Sequence, residues 1–195
     1  MRHGTTTHWV LPSLLGLLVL ASGVRARGQD AAAPPPSAAP TVPPVLSEPA
    51  DFSLEETSGV TRTLTEARGR LVVLFYEDRE HTPDNQELKQ LLHRFIEDNG
   101  LRGRVTTYGI ANVAGVDGVV RDLARAAIRA VASQYGIQIL LDWDGALQRA
   151  PFSMPASGST IAVLDREGRL RYRQTGAHIG EQRTAFFRVL RQLLR

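Results

Sequence analysis

The chain has 195 residues, 43% hydrophobic and 22% charged, which leaves room for one ordinary domain plus extensions and excludes a wholly disordered protein. Its net charge of +3 falls to +1 once Arg2 and Arg25 of the acid-free first 26 residues are set aside, so the remainder has no electrostatic footprint for nucleic acid. There is no cysteine, which excludes thiol-disulfide exchange, thiol peroxidase chemistry and a lipidated N-terminal cysteine.

Residues 1–26 read as a signal peptide. Arg2 supplies the positive start, and the apolar run from Trp9 to Leu20 is interrupted only by Pro12, Ser13 and Gly16. Small residues then offer cleavage after Gly23 or after Ala26. The run is short of the roughly 20 apolar residues of a membrane span, so contact with a membrane is expected only through an uncleaved segment. The expected location is the bacterial periplasm or the extracellular medium. Residues 27–50 follow as a Pro/Ala-rich disordered linker, in which Pro34, Pro35, Pro36, Pro40, Pro43, Pro44 and Pro49 favour an extended, solvated tether.

Residues 51–195 carry the pattern of a folded domain. A short hairpin is predicted first, turning at Ser58-Gly59 and returning through Val60 to Leu64. Leu71 to Tyr76 is a continuous apolar run of strand length, as expected for a strand buried on both faces. Thr82 then reads as an N-cap with Pro83 at the first helical position, and Leu88, Leu91, Leu92, Phe95 and Ile96 recur at helical spacing up to Asn99-Gly100. Arg104 to Val113 is a second strand, and Val116 to Tyr135 an Ala-rich helix with Val116, Val120, Leu123, Ala127 and Val131 on one face. Ile137 to Asp142 is a third strand, closed by Trp143-Asp144-Gly145. Ile161 to Leu164 and Leu170 to Arg173 form a hairpin about Asp165 to Gly168. A last helix from about Gly180 points Phe186, Phe187, Leu190, Leu193 and Leu194 inward and Arg188, Arg191 and Arg195 outward. Alternating strands and helices ending in a hairpin and a helix make an α/β domain with a mixed sheet.

This order, with a buried strand running into an N-capped helix, resembles the thioredoxin-like fold, a three-layer sandwich with a central mixed β-sheet flanked by helices. The turns Asp142 to Gly145 and Asp165 to Gly168 are similar to those of its redoxin and peroxiredoxin branch. Val119-Val120-Arg121, Ile139 to Asp142, and above all Ser159 to Leu170, resemble the YtfJ family of exported bacterial proteins. In active members of the superfamily the loop and first helical turn after the buried strand hold the reactive cysteine or a C-x-x-C pair. Here that window is Glu77-Asp78-Arg79-Glu80-His81-Thr82-Pro83-Asp84, and Gly158-Ser159-Thr160 stand where the family places a cis-proline. The resemblance therefore implies the fold without its redox site.

If that fold is adopted, residues 77–83, 153–160 and 175–180 meet at one end of the sheet, where open α/β sheets tend to bind ligands. The candidate binding residues are Arg79, Glu80, His81, Thr82, Ser159, Thr160 and His178. One chemistry open to them is a metal site on Glu80, His81, His178 and Asp84; another is anion or peptide binding at the helix N-terminus beside Arg79. Ser153, Ser157 and Ser159 lack a Gly-x-Ser-x-Gly elbow to make a nucleophile with His178. His93 falls on a polar helix face, and Trp143 reads as a core anchor or a binding aromatic. The sequence is read as a redox-inactive accessory or binding module without catalytic residue, metal or cofactor, acting on an unknown envelope protein or peptide and not on nucleic acid. A metal-handling protein or non-thiol enzyme built on Glu80, His81 and His178, or a degenerate redoxin, is the alternative.

Overall fold

The computed structural model describes residue 45, residues 48–135 and residues 137–195. The predicted signal peptide and all but the end of the predicted linker lie outside the described residues. No helix among the described residues is long and apolar enough to cross a membrane.

The run that reads as a doubly buried strand is β3, Leu71–Glu77, and every one of its residues is buried. Val72, Leu74 and Tyr76 enter one hydrophobic cluster, and Leu71, Val73 and Phe75 the cluster on the opposite face of the sheet. The period of two is therefore present although both sets are apolar. The other strands are β1 Ser53–Glu56, β2 Thr61–Thr63, β4 Val105–Asn112, β5 Ile139–Asp142, β6 Ser159–Leu164 and β7 Leu170–Thr175, in the order β2-β1-β5-β4-β3-β6-β7. β3 pairs parallel with β4 and antiparallel with β6, and β4 pairs parallel with β5. The sheet is mixed, as expected.

Helices α1, Gln86–Asp98, and α3, Gly180–Leu193, cover one face. Leu88 and Leu92 of α1 and Phe186, Val189 and Leu190 of α3 meet Leu71, Val73 and Phe75 there. Each such side chain, fully buried, contributes roughly 1.5–3 kcal/mol. The opposite face is covered by two short 3-10 helices, Leu64–Ala67 and Ala146–Gln148, with Phe52, Phe152 and Met154. Both Asp-x-x-Gly signals become turns. Asp142 accepts the amides of Ala146 and Leu147, and Asp165 those of Glu167 and Arg169.

One local expectation is corrected. α1 starts at Gln86 with Asn85 before it, and Thr82 and Pro83 lie in the preceding turns. Asp78 is the reason, because its carboxylate collects the Glu80 and His81 amides while its carbonyl takes the Thr82 hydroxyl, so the chain makes a tight loop before it can become helical.

A second finding concerns α2, Gly118–Tyr135. Val120, Leu123 and Val131 do share one face, and that face is turned to solvent, at 61%, 66% and 45% exposed. Arginines occupy the inward side instead. Arg121 lies over the Trp143 ring at 4.5 Å, Arg125 pairs with Glu55, and Arg129 donates to the Thr57 carbonyl. The cause is the hairpin at the sheet edge. β1 pairs antiparallel with β5, Glu55 standing opposite Leu141, and this puts a carboxylate under α2 that demands donors.

Candidate functional site

The loops after β3, before β6 and after β7 do meet, through hydrogen bonds centred on side chains that the sequence pattern does not single out. Asp78 is the first. Its Oδ1 accepts the backbone N–H of Glu80 at 3.0 Å and of His81 at 2.9 Å, and it lies 2.7 Å from His81 Nδ1. Its Oδ2 accepts the Ser157 hydroxyl and the Gly158 N–H, both at 2.8 Å. One carboxylate thus fastens the β3–α1 loop to the segment that enters β6.

Burial would push the Asp78 carboxyl up, but the Gly158 amide, the His81 ring, the Ser157 hydroxyl and the His81 amide together hold it well below its ordinary 3.8. Asp78 in turn holds His81 above its ordinary 6.5, through the ring hydrogen bond and the nearby negative charge. Gly158 adopts a φ of +108°, which a side chain would oppose, and this lets its amide turn towards Asp78.

Asn85 is the second centre, 1% exposed. Its Nδ2 donates to Ser159 Oγ at 2.8 Å and to the Gly176 carbonyl at 3.1 Å, while its Oδ1 accepts the His178 amide at 2.7 Å. Ser159 Oγ donates onward to Glu77 Oε1 at 3.0 Å, and Glu77 Oε2 takes Lys89 Nζ at 2.6 Å. Burial raises the Glu77 carboxyl above its ordinary 4.5 even though Lys89 and Ser159 pull it down. A closed polar chain from Lys89 to His178 thus lies beneath the loops, with its polar groups mutually satisfied.

Among the candidates from sequence, Arg79 and Glu80 are exposed, and Thr82 donates to the Asp78 carbonyl. Thr160 shares a hydrogen bond with Thr175 at 2.9 Å inside the hairpin. Ser159 and Thr160 are buried and so are not available on the loop surface. His178 is a correction to the picture of a solvated loop histidine, because it is 3% exposed. Its Nε2 lies 2.9 Å from the Tyr172 hydroxyl, its Nδ1 3.0 Å from the Gly176 carbonyl, and Phe186 packs on its edge.

With both ring nitrogens engaged, His178 and His81 do not form a common metal centre. Among the described residues no group of three or more His, Asp or Glu side chains could hold a metal ion. His178 also does not pair with a serine: Ser159 is bonded to Asn85 and Glu77, and Ser157 to Asp78. His93 is exposed, as its polar face implies, and Trp143 is 7% exposed with its Nε1 donating to Glu55. The peptide ahead of Ser159 is not a cis-proline; the cis bond among the described residues is Ala150-Pro151, further upstream.

Burial lowers the His178 pKa from its ordinary 6.5, more than the Gly176 hydrogen bond raises it. Below that pH the unfolded chain takes up a proton that the native site resists. Stability is therefore expected to fall as pH drops through about 6.5 and lower, and His178→Gln should remove this slope. His81 has the opposite sign: its contribution is complete below about 6.5 and fades as pH rises through its raised value. Urea denaturation of His178→Gln and of His81→Asn between pH 5 and 8 separates the two. An unchanged slope in His178→Gln would show that this histidine is not the acid-sensitive group.

No protein-family model matches the chain, and no curated protein matches it either. Solved structures do match. A protein described as a thiol:disulfide interchange protein DsbE from Chlorobium tepidum superposes with a TM-score of 0.57 at 14% identity, over 76% of this chain and 96% of its own. The pneumococcal exposed lipoprotein thioredoxin from Streptococcus pneumoniae gives 0.54 at 19%, over 74% and 100%. A DsbF homologue from Corynebacterium diphtheriae gives 0.53 at 20%, over 73% and 84%. At these identities the likeness establishes the fold, which is thioredoxin-like. In this chain the fold contains no cysteine.

Proposed function

We propose that the chain is an exported, redox-inactive thioredoxin-fold protein that acts as a binding or accessory module for a protein or peptide of the cell envelope. The observation that carries this reading is the Asp78 cluster. In the resemblance from sequence, the loop after the buried strand is where relatives keep a nucleophilic thiolate. Here a carboxylate stands in that loop with five hydrogen bonds directed at it from the two loops. A group so heavily used holds loops together and has little capacity left to act on a substrate. The neighbouring structural proteins include an exposed lipoprotein thioredoxin, which supports export together with the N-terminal segment. The YtfJ-like assignment belongs to the same proposal and rests on the Ser159 to Leu170 segment and the absent cysteines.

The test combines crosslinking in cells, read by mass spectrometry, with a thermal-shift and metal-content screen of the purified chain. A stoichiometric protein adduct with no stabilising metal or small ligand is the expected outcome. Stoichiometric zinc or copper that disappears in His81→Ala would overturn it in favour of a metal-handling protein.

A further inference from the structure

The near balance of charge in the folded domain conceals how that charge is distributed. The start of β3 is ringed by arginines. Arg68 and Arg70 precede the strand, and the Arg104 carbonyl, just before β4, accepts the Leu71 amide. The β6–β7 turn, with Arg166 and Arg169, lies at the same end, because the Arg166 carbonyl accepts the Gly69 amide. α3 finishes there too, since Arg104 Nη2 donates to the Leu194 carbonyl at 2.6 Å, next to Arg195.

These charges are held in place but not cancelled. The side chains of Arg68, Arg70 and Arg104 donate only to backbone carbonyls, those of Glu167 and Ala50, of Glu66, and of Leu194 respectively. Those of Arg166, Arg169 and Arg195 make no hydrogen bond or ion pair among the described residues. The acids nearby are fewer and partly occupied. Glu97 pairs with Arg102, Asp165 with Arg171, and Glu66 with Arg62. Asp51, Asp98 and Glu167 are exposed without a basic partner and offset part of the field. The opposite end of β3 differs in sign: Glu80, Asp84 and Glu181 are exposed around the Asp78 loops, with Arg79 beside them. From Leu71 to Glu77 the strand spans about 20 Å, more than twice the roughly 8 Å over which physiological salt screens a charge, so each end acts on its own surroundings.

Two features select the occupant. The guanidinium groups are spread over the starts of β3 and β4, the β6–β7 turn and the end of α3, so they match an extended layer of negative charge better than a single anion. The chain also enters the domain at this end. The Ala50 N–H donates to the Gly168 carbonyl at 3.0 Å, and Arg68 Nη2 donates to the Ala50 carbonyl at 2.7 Å. The Pro/Ala-rich segment, and the apolar run ahead of it, thus join the basic end, as suits a face turned towards the membrane that export crosses. Nucleic acid, the other extended polyanion, is not met outside the cell membrane.

We propose that the arginine-rich end of the domain, at the start of β3, lies on the headgroups of anionic phospholipid and so turns the Asp78 loops away from the bilayer, towards a partner. Basic residues near such a surface add their contributions and are screened by salt, and the arginine fork suits phosphate oxygens. This contact rests on the exported location proposed above and needs no particular partner.

The full-length chain is sedimented with vesicles of phosphatidylcholine alone and with vesicles containing about 30% phosphatidylglycerol, at about 0.1 M salt. The N-terminal apolar run is the same in every variant, so differences between variants report on the domain. Binding to the anionic vesicles is expected to be tighter by about tenfold or more, and to fall by a similar factor when Arg166→Glu and Arg169→Glu are combined. Neither side chain is bonded, so the melting temperature should stay as it was. The charge-matched pair Arg121→Glu with Arg149→Glu, beyond the end of β5 on the Asp78 side of the sheet, should leave binding within about twofold of the parent, since it lies beyond the screening length. Equal binding to both vesicles, the same loss from both pairs, or no binding would overturn the proposed contact. So would tighter binding of a Glu-rich peptide or a single-stranded oligonucleotide than of the anionic vesicles. A protein adduct at the Asp78 loops without vesicle binding would overturn this contact and leave the binding-module reading standing; vesicle binding without any adduct would do the reverse.

Discussion

Asn85→Ala is expected to lower stability by about 2–4 kcal/mol, the largest loss from any polar side chain of the candidate site. The side chain joins three segments that are far apart in sequence: Ser159 at the start of β6, the Gly176 carbonyl after β7, and the His178 amide before α3. Truncation leaves those partners buried without a full set of hydrogen bonds, and an orphaned polar group at such depth costs more than the bond itself was worth. Asn85→Asp makes the diagnosis specific. It keeps the acceptor for the His178 amide but loses both donors and places a carboxylate beside the Glu77 and Ser159 end of the network. It should be at least as damaging at pH 7 and partly recover on acidification, as the new acid becomes neutral. Urea denaturation measures both variants. A midpoint within experimental error of the parent for Asn85→Ala would show that the network is not stabilising.

Asp78→Ala is the second large effect, about 2 kcal/mol, smaller because Asp78 is partly solvated and water can replace some of its partners. Five hydrogen bonds end on this carboxylate, so the loss should be concentrated in the two loops it joins. Faster amide exchange at His81 and Gly158, with the β3 core still protected, is the expected signature. The pH dependence has a fixed sign. Asp78 is held below its ordinary 3.8, so it stabilises the fold above about pH 4 and this contribution is lost as pH falls through its lowered value. The variant should therefore show a flatter acid limb of stability than the parent. An equally steep limb would assign acid sensitivity to other carboxylates.

Several features were open to reading from the residues because they are local or periodic. β3 appears as an unbroken apolar run, and α3 as a stripe of Phe186 and Leu190 against outward arginines. The two Asp-x-x-Gly turns were visible because an aspartate side chain caps its own neighbourhood. The meeting of three loops at one end of the sheet follows from the resemblance to the thioredoxin-like fold. What was missed is the set of residues that join those loops. Glu77, Asp78 and Asn85 look like ordinary polar residues at the edges of a strand and a helix. Their partners, at 157 to 159 and 176 to 178, are some 70 to 90 residues away, and no local pattern couples them. Glu77 gave one faint sign, a charged residue closing an otherwise apolar strand.

α2 separates the two kinds of information most sharply. Its helical character is written in Val116 to Tyr135 as a run of alanines and helix formers, and that part of the reading holds. Its orientation is not. A 3.6-residue period marks an apolar face but says nothing about what the helix lies against, and the usual inference that the apolar face turns inward assumes an apolar floor. Here the floor at the edge of the sheet is Glu55, the Thr57 carbonyl and Trp143, and donors win the contact. The sequence by itself determined the α/β class, the central strand, the turns and the absence of thiol chemistry, because composition and short-range periodicity act within one segment. Tertiary structure alone decided that Asp78 and Asn85 bind the loops, that His178 lies inside, and that the apolar stripe of α2 faces outward, because each depends on which distant chain the side chain meets.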